Sequence, residues 1–203
     1  MPEEQVHEMT IEKATALYEE YGSSLQSEID QWIEFVQRAK IESPLSNGNY
    51  FHALQLTEGM LRRTCYRFLM LTGQGADNFV RSLRDAVRGM MRRIDANQGD
   101  ARIIIANGKG DELRELAAEF PRTLLVREVS ITDGPISHFI VGDYDMVRQE
   151  EPHPPLEGKM LADVIKASMY FANPTKVRLF TEWFNKGWEQ IGPTAGPAPY
   201  VTV

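Results

Sequence analysis

A chain of 203 residues with 42% apolar, 25% charged and 9% aromatic side chains can bury a substantial core, and with a mean hydropathy of −0.36 its composition is that of a globular protein and not of a membrane bundle or a disordered chain. The single cysteine, Cys65, excludes an internal disulfide and a Cys-based zinc site. Net charge is −7, but the first 59 residues hold 3 basic against 11 acidic side chains while residues 60–127 hold 13 against 8, so only the middle is basic. Phosphate neutralisation carries most nucleic-acid affinity, and here that signal is local and weak. The acidic start MPEEQVHEMTIEK lacks a basic, apolar leader, and no run approaches eighteen apolar residues. The expectation is a cytoplasmic protein with no membrane association.

From about Ile11 to Lys40, apolar residues at spacings of three and four (Leu17, Tyr18, Tyr21, Leu25, Ile29, Trp32, Ile33, Val36) predict one or two amphipathic helices. SPLSNGN at 43–49 is loop chemistry, and helical periodicity resumes from Tyr50 to about Arg63. YRFLMLTGQGADNF then reads as strand, tight Gly-rich turn and N-cap, followed by a helix from Asn78 to Ile94 with one broad apolar stripe. The TGQG turn lacks the lysine of a phosphate-cradling loop, so a structural turn is the expected role.

ARIIIANGKG at 101–110 and DELRELAAEF at 111–120 repeat the strand-to-helix pattern, TLLVREVSI at 123–131 predicts a strand, and DGP at 133–135 a turn. SHFIVGD and YDMVRQE read as paired strands or one bent strand. MLADVIKASMYF fits helix or strand, PTKVRLFTEWFNKGWEQI at 174–191 fits a helix opened by Pro174, and the tail from 192 to 203 is irregular. Alternating strands and helices predict an α/β fold with a mixed, mostly parallel sheet flanked by helices. Residues 1–49 form an N-terminal helical segment before the α/β part at 50–191.

The stretch HFIVGDYDMVRQEEPHP concentrates the polar chemistry. HFIVGDYD resembles the signature of phospholipase D-like proteins, in which a histidine is followed two positions later by lysine and seven later by aspartate. His138 and Asp145 match, and Ile140 stands where the lysine is expected. The order of elements over residues 50–191 resembles that family too, from the strand and helix at 66–94 to the closing FTEWFNKGW helix. The resemblance implies a phospholipase D-like fold, a homodimer that brings two signatures together, and His138 and Asp145 as catalytic residues if the site is active. In that chemistry the histidine attacks phosphorus, lysines neutralise the developing charge and the aspartate orients the histidine. Loss of one such charge costs about 3–4 kcal/mol of transition-state stabilisation. Two departures, Ile140 for lysine and no Gly-Ser element beyond the aspartate, imply a regulatory or interaction module rather than a phosphodiesterase or nuclease.

His138, Asp143, Arg148 and Glu150 are the expected ligand contacts for an anion, set against a structural reading in which His138 and Arg148 make ordinary polar pairs. Arg148 can replace the missing lysine if it points into the cleft. His138, Asp143, Asp145, Glu150 and His153 can be drawn as a metal cluster, but strand alternation sets His138 against Asp143 and Asp145 on opposite faces unless a turn or bulge intervenes. A flexible HPP loop is needed to bring His153 back, and no spacing matches a metal signature, so no metal and no cofactor are expected. Arg81, Arg84, Arg88 and Arg92 form a stripe whose simplest role is a solvated helix face. Its alternative is a nucleic-acid or protein surface, for which it lacks interleaved aromatics.

Overall fold

The computed structural model describes residues 9–73, 76–108, 110–131, 137–153, 160 and 166–192. The expected DGP turn, much of MLADVIKASMYF and the tail from 193 onward lie outside the described residues. Among the described residues, six helices and seven strands follow in the order α1 Ile11–Arg38, β1 Leu45–Ser46, α2 Tyr50–Arg63, β2 Arg67–Thr72, α3 Ala76–Ser82, α4 Arg84–Ala96, β3 Asp100–Ala106, α5 Asp111–Glu119, β4 Leu124–Val129, β5 His138–Gly142, β6 Met146–Glu150, β7 Ala167–Tyr170 and α6 Pro174–Ile191.

Local chemistry explains most of the boundaries. Thr10, Asn49 and Asn173 cap α1, α2 and α6 with side-chain oxygens that accept from the third residue on, and Pro174 occupies the first turn of α6, where its missing N–H costs nothing. The expected helix over 78–94 is instead two, meeting at Leu83, whose N–H is shared between Phe79 and Val80 carbonyls. Its apolar stripe stays continuous and buried through Phe79, Val80, Leu83, Val87, Met90, Met91 and Ile94.

The sheet order is β1-β7-β6-β5-β2-β3-β4. Only β2, β3 and β4 run parallel; β5 returns on the other side of β2 antiparallel, and β6, β7 and β1 continue antiparallel. The sheet is therefore mixed but mainly antiparallel, which corrects the mostly parallel expectation. Strand–helix alternation stops at β4, and the hairpin β5–β6 then supplies a short antiparallel connection that needs no crossover helix. A short strand, β1, also forms at the edge of the sheet inside the segment expected as loop.

Each strand divides its residues between two cores. Phe68, Met70, Ile103, Ile105, Ile140 and Met146 pack under α1, α2, α4 and α5, whereas Leu69, Ile104, Phe139, Val141 and Val147 pack against Val177, Phe180, Phe184 and Trp188 of α6. Helix α1 joins the larger core through Ile11, Ala14, Tyr18, Ile33 and Val36, and its Tyr18 hydroxyl donates to Glu58 of α2. The second apolar line of α1 stays outside: Tyr21, Leu25, Trp32 and Phe35 are between 41% and 59% exposed. Among the described residues, no helix is long and apolar enough to cross a membrane.

Candidate functional site

The hairpin β5–β6 sets His138 opposite Glu150, Ile140 opposite Arg148 and Gly142 opposite Met146. Even-numbered residues thus share the face that carries the larger core, and a row of polar groups enters that core at one end. His138 begins β5 beside the end of β2, where Leu71 pairs with Phe139. There the glycine that opens TGQG has a definite role. A Cβ on Gly73 would stand 2.9 Å from His138 Nε2, so the glycine lets the imidazole lie where it does, and a larger residue would make the ring shift.

Glu150 is the hub. Its Oε2 lies 3.9 Å from His138 Nδ1, its Oε1 lies 3.2 Å from His153 Nε2, and Arg148 Nη1 donates to Oε2. The two imidazole rings meet edge to face with centroids 4.9 Å apart. The Arg148 guanidinium sits 5.1 Å over the Phe79 ring of α3 and is only 2% exposed, and its Nε and Nη2 are buried without a hydrogen-bond partner among the described residues. Buried donors are rarely left so, and a guanidinium with two unused N–H directions has spare capacity for an acceptor.

The electrostatics follow from burial and this pairing. Burial alone would raise the Glu150 carboxyl, but the Arg148 charge and hydrogen bonds from His153 and Arg148 outweigh it and hold the group down at about 2. His138 is shifted downward chiefly by burial, helped by the positive charges of His153 and Arg148 and opposed by Glu150, so its imidazole is neutral at physiological pH. Tyr50 of α2, buried beside Phe79, has its hydroxyl pushed up to about 12, mainly by burial.

Asp143 and Asp145 lie at the other end of the hairpin, roughly 15 Å along the strand from His138. Asp143 turns the chain at a positive φ of 49°, and its carboxylate accepts from the N–H groups of Cys65, Tyr66 and Arg67 at 2.9, 2.7 and 2.9 Å. The Asp145 carbonyl accepts from the Asn173 N–H at 2.8 Å, and burial, with the neighbouring charge of Asp143, raises its carboxyl above the usual range. Neither aspartate faces His138; Glu150 does. The seven-residue spacing of His138 and Asp145 spans a strand and a turn, which carries the aspartate away from the histidine.

The arginine stripe has partners that were not legible locally. Arg81 pairs with Glu112 at 2.8 Å, Arg84 with Glu115 at 3.5 Å and Arg88 with Glu119 at 2.6 Å, a ladder that ties α3 and α4 to α5. Arg92 lies exposed beyond its end. His153, which the sequence allowed back only through a flexible HPP loop, completes the polar cluster beside Glu150 and His138.

No protein-family model matches the chain, and no curated protein sequence matches it. Among solved structures, the chain is similar to Nuc, a phospholipase D family member from Salmonella typhimurium, with a TM-score of 0.55 and 14% identity over 72% of this chain and 95% of that one. It is also similar to TrmBL2, an archaeal chromatin protein with a novel mode of DNA binding, with a TM-score of 0.51 and 16% identity over 85% of this chain and 63% of that one. The chain thus spans less than two thirds of the archaeal protein's length. At such identities the likeness is one of architecture: the sheet and its flanking helices have a phospholipase D-like fold.

Proposed function

We propose that the protein is a phospholipase D-like module that binds an anionic group at Arg148 and His138 without hydrolysing it, and that it acts as a regulatory or interaction partner. The observation that carries this reading is the cross-strand pair of Ile140 and Arg148. A cation stands one strand away from the position where the resemblance expects a lysine, on the same face as His138, with two guanidinium nitrogens that make no hydrogen bond among the described residues. An Arg fork of this kind matches phosphate oxygens in two directions.

The same geometry weighs against turnover. Arg148 already neutralises Glu150, so the site holds one compensated cation where phosphoryl chemistry calls for net positive charge on the leaving and equatorial oxygens. A homodimer belongs to this reading. The exposed line of Tyr21, Leu25, Trp32 and Phe35 on α1 supports it, because large apolar side chains at helical spacing are what a paired helix covers.

A phosphodiesterase or nuclease built from His138 of two protomers is the second reading, favoured by Glu150 beside Nδ1, where a carboxylate orients a nucleophilic imidazole. Hydrolysis of bis(p-nitrophenyl) phosphate and a labelled oligonucleotide, with His138→Asn beside the wild type, separates the two. The binding module shows no turnover, and millimolar phosphate or diethyl phosphate raises the melting temperature of the wild type but not of Arg148→Gln. Turnover lost in His138→Asn, with a covalent phosphohistidine, overturns it. Nucleic-acid binding through Arg81, Arg84, Arg88 and Arg92 is supported only by the DNA binding of the archaeal structural neighbour, since three of these arginines already face α5 glutamates; it requires oligonucleotide affinity that falls steeply with salt.

A further inference from the structure

We infer that His138, Glu150 and His153 form a binding site for a borderline transition-metal ion, with Zn²⁺ as the reference. One donor atom from each residue falls within a set whose members all lie within 4.8 Å of one another, and all three side chains are at most 13% exposed. A tetrahedral ion with bonds near 2.0–2.1 Å sets its ligand atoms about 3.3 Å apart. Glu150 Oε1 is already 3.2 Å from His153 Nε2, and the other oxygen, Oε2, is 3.9 Å from His138 Nδ1. With every edge within 4.8 Å, closing the widest takes a movement of at most about 1.5 Å, which ordinary χ adjustments supply.

The backbone holds this set in place. His138 and Glu150 are directly opposed in the β5–β6 ladder, so two ligands come from a rigid pair of strands, and His153 follows Glu150 by three residues just past the strand end. Two imidazoles and one carboxylate select metals that favour nitrogen, Zn²⁺, Co²⁺, Ni²⁺ and Cu²⁺, over Mg²⁺ and Ca²⁺, which require oxygen ligands. Arg148 hydrogen-bonds the ligating carboxylate from behind, as partners of metal-bound carboxylates do, while its charge opposes the incoming ion and keeps affinity below that of an all-anionic site. Among the described residues these three are the ligand set, which leaves the fourth position of the ion open, as in three-ligand sites.

The site stands on these three residues and not on the anion reading, and the two are tested apart. Full-length protein stripped with chelator is titrated with Zn²⁺ against a chromophoric competitor, and Co²⁺ loading is followed by its visible bands. One ion per chain binds, cobalt gives the intense bands of a four-coordinate site, His153→Ala and His138→Ala each weaken binding at least about tenfold, and His52→Ala and Cys65→Ser do not. Arg148→Gln, which removes the group that the anion reading needs, keeps zinc binding and tightens it. Zinc binding unaltered by His153→Ala, octahedral cobalt spectra, binding of Mg²⁺ as strong as that of Zn²⁺, or no binding by folded wild type overturns the inference. Loss of the phosphate response in Arg148→Gln with zinc retained, and loss of zinc in His153→Ala with the phosphate response retained, are expected when both hold. A wild type that binds zinc but shows no phosphate response fails only the anion reading, and one that responds to phosphate but binds no zinc fails only the metal site.

Discussion

The two ends of the β5–β6 hairpin are built from the same pair of strands and both carry acidic side chains, yet they do different work. At the turn, Asp143 spends its carboxylate on three backbone N–H groups and closes the hairpin onto the start of β2. At the open end, Glu150 gathers an arginine and two histidines, and Arg148 keeps two buried nitrogens unbonded. Backbone satisfaction marks structure, and incomplete satisfaction among buried side chains marks the place where a ligand has something to complete.

The largest test of this contrast removes the hub. Glu150→Gln leaves the Arg148 charge buried without its counterion and should cost about 3–5 kcal/mol in urea unfolding, whereas replacing Arg148 and Glu150 together by methionines should recover most of that loss. If Glu150→Gln is silent, the pair is not buried as described. Next comes the turn: Asp143→Ala abandons three hydrogen bonds to a charged acceptor in a left-handed turn and should cost about 3 kcal/mol, with phosphate and zinc responses at the open end intact. A change in either response at matched stability would erase the division between the two ends.

The pH dependence separates the ends by sign. At the open end both groups have folded values below their ordinary ones, 6.5 for His138 and 4.5 for Glu150. Their contributions are present above those values and are lost as pH falls, first through the histidine range below 6.5 and then below 4.5 toward about 2. His138→Gln should therefore flatten the first limb of a stability–pH profile, and Glu150→Gln the second. Asp145 behaves in the opposite sense: its folded value is raised above 3.8, so its contribution is present below that value and is lost as pH rises through the folded one. Asp145→Asn should give the smallest effect, a slight gain in melting temperature at neutral pH that vanishes in acid.

Much of the framework was legible because it is local. Thr10, Asn49 and Asn173 announce three helix starts, ARIIIA and RFLML announce buried strands, and the apolar spacing of Val177, Phe180, Phe184 and Trp188 announces the face of α6. The histidine at the head of β5 and the arginine two residues from Glu150 were legible as candidates for the same reason: period-two alternation places His138 and Ile140, or Arg148 and Glu150, on one side of a strand. The exposed line of Tyr21, Leu25, Trp32 and Phe35 was not separable from the buried line, because periodicity reports amphipathicity and not which apolar stripe finds a neighbour.

The sequence by itself determined the composition of the elements, their order, and the absence of a lysine at position 140. Tertiary structure alone decided that β5 lies antiparallel beside β2, that Glu150 rather than an aspartate meets His138, that His153 folds back onto both, and that arginines of α3 and α4 pair with glutamates 31 residues later. Caps, turns and alternation act within a few residues and leave a mark in the local pattern. Strand register and side-chain clusters are fixed by contacts between distant segments, and their energy depends on which surfaces meet once the chain has collapsed.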